Sequence, residues 1–121
     1  MTPGSGGQAA GQAVSPAEEG LGEAVDDVQF DGEVLARREQ GRSFSRIARE
    51  MGLDRGLQAN AAFNRALRRL PADDQEAARG REVARLDALG ARLRQRDDLD
   101  EADVVRRMRS LDRLRAALLK G

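Results

Sequence analysis

Residues 42–70 read RSFSRIAREMGLDRGLQANAAFNRALRRL and carry the most regular pattern in the 121-residue chain. Apolar residues recur from Phe44 to Met51 at helical spacing, so they share one face of a helix. Ser43 is a suitable N-cap for that helix. Gly52 can end it, because glycine adopts the left-handed conformation at little cost. The pattern therefore predicts a helix, a glycine turn and a second helix.

The second helix is predicted to run from about residue 54, with Asp54 as its N-cap, to Leu70, because Pro71 cannot extend it. A helical wheel places Phe63 on its inner face, and we expect the chain's three phenylalanines to meet in one small core. The opposite face and the helix start present a set of basic, amide and small residues. They are Arg55, Gln58, Ala61, Asn64, Arg65, Arg68 and Arg69.

These residue types are suited to reading base edges in the major groove of DNA. Arginine forms paired hydrogen bonds with guanine, the two amide side chains do so with adenine, and alanine lets a helix approach closely. The front of the helix before the turn normally crosses the phosphate backbone. We therefore assign phosphate contacts to Arg42, Ser43, Ser45 and Arg46.

Charge is distributed unevenly along the chain, although the net charge is zero. Residues 1–36 contain seven acids and no base, residues 37–70 nine arginines and three acids, and residues 71–121 eleven acids and twelve bases. The middle segment, at +6, favours a polyanionic partner and coincides with the two-helix pattern. The alternative is a solvated helix face with local ion pairs, such as one between Arg46 and Glu50.

Residues 1–28 are predicted to form a disordered acidic tail, because too few large apolar residues are present to offset the entropy of ordering. Two roles stay open for this tail, which either binds a protein partner as a short amphipathic helix or shields the arginines. A helix is predicted for residues 31–40, with Asp31 as its N-cap and Gly41 as its stop. With the two helices that follow, it completes a three-helix unit over residues 29–71.

Residues 72–121 are predicted to form an antiparallel helical hairpin. Asp73 can cap its first helix, an acidic run at residues 97–100 makes the turn, and Asp100 can cap its second helix. Both helices carry a narrow apolar stripe without aromatic residues, and one hairpin alone buries little surface. We therefore expect a homo-oligomer formed through residues 72–121. The alternative is a hairpin that packs back on the three-helix unit of a monomer.

Residues 45–53, SRIAREMGL, resemble the first helix and turn of bacterial repressor and resolvase-type helix-turn-helix domains. The matching positions are Ile47, Ala48, Gly52 and Leu53. The resemblance implies a unit that lays its second helix in the major groove. In this chain the dominant apolar anchor of that helix, Phe63, comes later than in those families. A shifted register is therefore expected for the second helix.

The order of a helix-turn-helix unit followed by a helical hairpin is also similar to that of phage small terminase subunits. The strings REVARLDAL at residues 81–89 and LDRLRAAL at residues 111–118 carry this weaker resemblance. It implies a protein that binds DNA through its first part and forms rings through its second part.

Composition disfavours catalysis. The chain has no cysteine and no histidine, so it lacks thiolate and imidazole ligands and the usual nucleophile–base pairs. The acidic run at residues 97–103 lacks the central glycine and terminal glutamate of a calcium loop. We therefore expect no enzymatic activity, no cofactor and no metal site.

No apolar run approaches the roughly 20 residues that a membrane span needs, and no basic residue precedes Arg37 as a secretory signal requires. We expect a cytoplasmic, nucleoid-associated protein. Twenty arginines against one lysine are typical of a GC-rich genome, such as that of an actinobacterium. The expected function is sequence-specific or nucleoid-type binding of double-stranded DNA, as in a transcriptional regulator. The alternatives are phage-type DNA packaging and an all-helical protein–protein adaptor.

Overall fold

The computed structural model describes the backbone of residues 16–120 and the side chains of residues 27–120. The described chain forms five helices and no strand, which confirms the all-α prediction. The helices are α1 Pro16–Glu39, α2 Phe44–Glu50, α3 Gly56–Arg68, α4 Ala72–Arg94 and α5 Glu101–Lys120. The chain divides into two units, Met1–Phe30 and Asp31–Gly121. The side-chain contacts that follow all lie within the second unit.

Helix α1 begins at Pro16, well before the predicted start at Asp31. The prediction of Asp31 as an N-cap is therefore wrong, because this residue lies inside the helix and is fully buried. Its carboxylate instead accepts hydrogen bonds from Arg65 of α3 and from Arg69, which directly follows α3. Of the predicted tail, residues 1–15 lie outside the described part of the chain. Helix α1 ends at Glu39, and Gly41, with φ of 94°, stops it as predicted.

Helix α2 has the start and the end that the sequence predicts. Ser43 is its N-cap, and the Oγ atom accepts a hydrogen bond from the backbone N–H of Arg46 at 3.1 Å. Gly52 follows the helix with φ of 75°. The N–H of Leu53 then donates to the carbonyl of Ala48 at 2.8 Å, closing the turn. The buried residues of α2 are Phe44, Ile47 and Ala48.

Helix α3 begins at Gly56, because Arg55 is still extended, with φ of −140° and ψ of 151°. The Oε1 atom of Gln58 accepts hydrogen bonds from the backbone N–H of Asp54 at 2.8 Å and of Arg55 at 3.1 Å. The helix start is thus capped from inside the helix rather than by Asp54. A Cβ on Gly56 would lie 3.2 Å from the backbone nitrogen of Ser45. Glycine therefore lets the start of α3 approach α2.

The core joins α2 and α3. The rings of Phe44 and Phe63 meet edge to face, with centroids 5.6 Å apart. The buried apolar residues of α3 are Ala59, Ala62, Phe63, Ala66 and Leu67. The predicted meeting of these two phenylalanines is confirmed, whereas the place of Phe30 in that cluster stays a prediction.

A buried ion pair joins α1 to α4. The Arg38 Nη2 atom lies 2.8 Å from Glu82 Oε2, and the two side chains are 9% and 2% exposed. The same guanidinium lies 4.1 Å from the centre of the Phe44 ring and donates to the carbonyl of Arg42 at 3.0 Å. Because a buried charge is costly without its partner, the pair holds α4 against the ends of α1 and α2.

Helices α4 and α5 run in opposite directions along each other. A Cβ on Gly90 would lie 3.6 Å from Met108 and from Leu111, and Arg79, earlier in α4, donates to the carbonyl of Leu118, later in α5. Both helices also contact α3. The buried leucines of the pair are Leu86, Leu93, Leu111 and Leu118. Part of the apolar surface of α4 and α5 is therefore covered within the chain.

Candidate nucleic-acid interface

One face of α3 is open to solvent. Gln58, Ala61 and Arg68 are exposed and lie at the spacing of a single helical face. Arg55, also exposed, immediately precedes the helix, and Leu57 at the margin is 60% exposed. Basic, amide and small side chains are therefore accessible together from one side of the helix. We call this set of five residues the α3 face.

Asp31 of α1 holds two arginines beside the α3 face. The Nε and Nη2 atoms of Arg65 donate to its carboxylate at 2.8 and 2.9 Å, and the Nη1 atom of Arg69 donates at 2.8 Å. Burial alone would raise the pKa of Asp31, but the hydrogen bonds and charges of both arginines outweigh it and lower the pKa below 3.8. Each arginine side chain is still 41% exposed. Their positions are thus fixed while part of each reaches solvent.

Asn64 does not lie where the helical wheel put it. Its side chain is buried, with 4% of the residue exposed, and its Nδ2 atom donates to Asn60 Oδ1 at 3.2 Å. The wheel treats the helix as isolated, whereas neighbouring elements cover this flank of α3. The assignment of Asn64 to DNA contact is therefore corrected, and the residue belongs to a buried amide pair.

Gln58 is exposed, but part of its side chain is already used. Its Oε1 atom caps the start of α3 through two backbone N–H groups. A paired contact with adenine requires both the oxygen and the nitrogen of the amide. In this conformation Gln58 does not offer that paired contact, and its described role is to fix the start of the helix.

Glu50 at the end of α2 gathers three arginines. Arg37, Arg42 and Arg46 approach its carboxylate oxygens at 2.8, 3.3 and 2.9 Å. Hydrogen bonds from Arg37 and Arg46 lower the pKa of Glu50. The ion pair that the sequence offered as an alternative for Arg46 is thus present. Arg46 nevertheless keeps 58% of its side chain exposed, which leaves it accessible to a phosphate.

The outer side of α2 carries one basic residue that the sequence assignment missed. Ser43 and Ser45 are exposed, and the Ser43 hydroxyl is used as the helix cap. Arg49 follows Ser45 and Arg46 by four and three positions, so it shares their face. It is exposed and forms no ion pair with any described residue. Helical spacing counted from Ser45 was a signal that could have identified it.

Ion pairs neutralise most of the local positive charge. Six of the nine arginines in residues 37–70 bind carboxylates, namely Arg37, Arg38, Arg42, Arg46, Arg65 and Arg69. Among the described residues, Arg49, Arg55 and Arg68 form no ion pair. Three of the acids, Asp31, Glu33 and Glu82, lie outside this stretch of sequence. A linear count of charge therefore overstates what the surface offers to a polyanion.

A cleft of about 290 Å³ lies between the start of α3 and the middle of α5. Its lining comprises Phe44, Ser45, Arg55, Gly56, Leu57, Ser110, Arg113 and Leu114. Arg113 donates to Ser110 Oγ at 3.1 Å and has no carboxylate partner in the described chain. No local sequence pattern identified Arg113 as part of the site, because only the tertiary contact of α5 with α3 brings it there.

Two features are absent from the described residues. They hold no group of three or more acidic, histidine or cysteine side chains that could bind a metal ion. No helix among them is long and apolar enough to cross a membrane.

Comparisons with protein-family models, characterised proteins and solved structures gave no match.

Proposed function

We propose that this protein binds double-stranded DNA through α2, the Gly52 turn and α3, arranged as a helix-turn-helix, and that it acts as a transcriptional regulator. The observation that carries the proposal is the α3 face. Arg55 and Arg68 are exposed there without an ion pair among the described residues, and Ala61 between them leaves room for close approach. The major groove admits an α-helix, and arginine is its commonest specific reader.

Phosphate contacts are assigned to the rim of this face. On α2, Ser45, Arg46 and Arg49 are exposed and can donate to phosphate, and α5 adds Arg113 across the cleft. Arginine presents its donors in a rigid fork that matches phosphate. A groove contact by α3 and backbone contacts on both sides of it are the division of roles expected for this class of protein.

The proposal is tested by Arg55→Ala combined with Arg68→Ala. We expect this double variant to weaken binding of a mixed-sequence duplex by at least roughly tenfold at low salt, because two phosphate or base contacts are lost. Fluorescence anisotropy with a labelled duplex gives the dissociation constant. The melting temperature should change little, since both side chains are exposed.

A matched control removes two arginines from elsewhere. Arg94→Ala combined with Arg107→Ala deletes the same charge from exposed positions on α4 and α5. If both double variants weaken DNA binding equally, the affinity for DNA depends only on the net charge of the protein, and the α3 face has no specific role. That result would contradict the proposal.

A genome-wide binding map separates the forms that DNA binding can take. One sharp palindromic site is the result expected of a specific regulator, since dimers read paired half-sites. A broad profile indicates a nucleoid-type binder, and occupancy confined to a phage packaging site indicates the terminase-like alternative.

The cleft beside α3 favours a second candidate, an adaptor for an acidic protein segment. Its walls combine apolar Phe44, Leu57 and Leu114 with Arg55 and Arg113. Such a cleft suits a peptide with apolar and acidic side chains. Two results together would support this candidate over the first. Acidic peptides should bind the wild-type protein and fail to bind Leu57→Glu, and the wild-type protein should show no salt-sensitive DNA binding.

A further inference from the structure

Helix α5 has two rows of residues at coiled-coil spacing, and one of them is covered by nothing in the described chain. The first row contains Met108, Leu111 and Leu118 and faces α4. The second row consists of six exposed residues, here called the outer row. They are Ala102, Val105, Arg109, Asp112, Ala116 and Leu119. Val105 and Leu119 are 43% and 57% exposed.

The outer row repeats at intervals of three, four, three, four and three residues. This is the a/d spacing by which one helix packs against another in a coiled coil. At about 1.5 Å per residue the row extends over roughly 26 Å, nearly the whole helix. A seam of this length, left exposed, indicates a helical partner.

The order of the residues identifies that partner. The outer row is symmetric about a point between Ser110 and Leu111. Each member of the row has another member at the same distance on the other side of that point. Ala102 is matched with Leu119, Val105 with Ala116, and Arg109 with Asp112. We propose that α5 binds α5 of a second copy of this chain in antiparallel orientation, around a twofold axis at that point.

Charge selects the antiparallel orientation. In this register Arg109 lies opposite the partner's Asp112, and the symmetry creates this pair twice. Glu101 and Lys120, at the two ends of α5, come together in the same way. None of these four residues forms an ion pair within the described chain. A parallel pair would place Arg109 against the partner's Arg109 and would repel.

The side chains beside the central charges permit close contact. Ala102 and Ala116 are small, so each leaves space for the larger apolar residue opposite it, the partner's Leu119 and the partner's Val105. The polar central layer fixes the register at some cost in stability, as buried polar positions do in other coiled coils. This self-association does not depend on DNA binding. It would present two α3 faces related by a twofold axis, as paired half-sites require.

Charge reversal tests the proposal in the full chain without DNA. Arg109→Asp alone and Asp112→Arg alone each place like charges across the axis. We expect each to raise the dimer dissociation constant, measured by sedimentation equilibrium, by roughly tenfold or more. The combined variant restores opposite charges and should return the constant to near the wild-type value. An equimolar mixture of the two single variants should form heterodimers.

A wild-type protein that stays monomeric at millimolar concentration would overturn the proposal. So would single variants that dimerise as well as the wild type, or a combined variant that is no better than either single variant. Thermal melts of all variants should coincide at concentrations where each is monomeric, because the outer row is exposed.

Cysteine cross-linking gives the register directly, since the chain contains no cysteine of its own. Val105→Cys and Ala116→Cys, mixed and oxidised, should yield a disulfide-linked heterodimer, because these positions face each other. Each variant alone should cross-link poorly, since identical positions lie roughly 16 Å apart along an antiparallel pair. Efficient cross-linking of each variant with itself would show a parallel pair, and no cross-linking in the mixture would exclude this interface.

Discussion

Asp31 couples the stability of the second unit to the geometry of the candidate DNA surface. A fully buried carboxylate is stable only if its oxygens accept hydrogen bonds, and Arg65 and Arg69 supply them. Arg65 lies on α3 and Arg69 directly follows it, and both lie beside the α3 face. Any contact that Arg65 and Arg69 make with DNA would therefore come in addition to a structural role. Arg68 has no such structural role, since it forms no ion pair among the described residues.

This difference predicts opposite outcomes for two neighbouring arginines. Arg65→Ala should lower the free energy of unfolding by about 1–3 kcal/mol, because buried oxygens of Asp31 lose their donors. Arg68→Ala should change it by less than about 0.5 kcal/mol, as exposed substitutions usually do. Urea unfolding measures both. Equal effects of the two substitutions would show that the Asp31 cluster contributes nothing to stability.

The same carboxylate predicts a pH dependence. Because the pKa of Asp31 is lowered by folding from 3.8, its stabilising contribution is present above about pH 4 and is lost as the pH falls through the lower folded value. Asp31→Asn should therefore show a smaller loss of stability between pH 5 and pH 2 than the wild type. Asp97→Asn, in the exposed link between α4 and α5, serves as the control. An unchanged pH profile in Asp31→Asn would contradict the ion-pair geometry.

Single residues also show where sequence reasoning stops. The capping role of Ser43 and the stops at Gly41 and Gly52 depend on neighbours within a few positions, and the sequence predicted them. Asp31 and Asn64 were misplaced because their partners depend on how separate helices pack. No local pattern distinguishes a capping aspartate from a buried one.

At the scale of elements, the turn between α2 and α3 sets how the α3 face is presented. Gly52 has φ of 75°, which costs other residues free energy, and Gly56 admits the close approach of Ser45. The presence of α2 and α3 was predictable from the sequence because the apolar spacing along a helix is a local pattern. The ion pairs of Arg65 and Arg69 with Asp31 and the approach of Arg113 to α3 were not predictable, since they require the packed helices.

Two glycine substitutions should act in opposite directions. Gly52→Ala should destabilise the protein by about 1–2 kcal/mol, because the left-handed conformation strains a residue with a Cβ. Gly80→Ala, in the interior of α4 with nothing within 4 Å of the new Cβ, should stabilise it by about 0.5–1 kcal/mol. Thermal denaturation compares them. Stabilisation by both would mean that the turn does not need its positive φ.

At the scale of the whole chain, neutrality conceals a division of charge. All 21 basic residues lie in Asp31–Gly121, together with 16 acids, which gives that unit a net charge of +5. Met1–Phe30 contains five acids and no base. The unit that holds the α3 face is therefore basic, although most arginines near that face are paired. Attraction of this unit to DNA therefore depends on phosphate contacts by the arginines that form no ion pair.

The most direct test of the proposed function is a titration of the full protein against a labelled mixed-sequence duplex at 50 and 200 mM salt. Neutralising about four phosphates releases their counterions, so we predict a loss of affinity of roughly a hundredfold between the two salt concentrations. No binding at 50 mM salt, or an affinity that is the same at both salt concentrations, would contradict DNA binding through this surface.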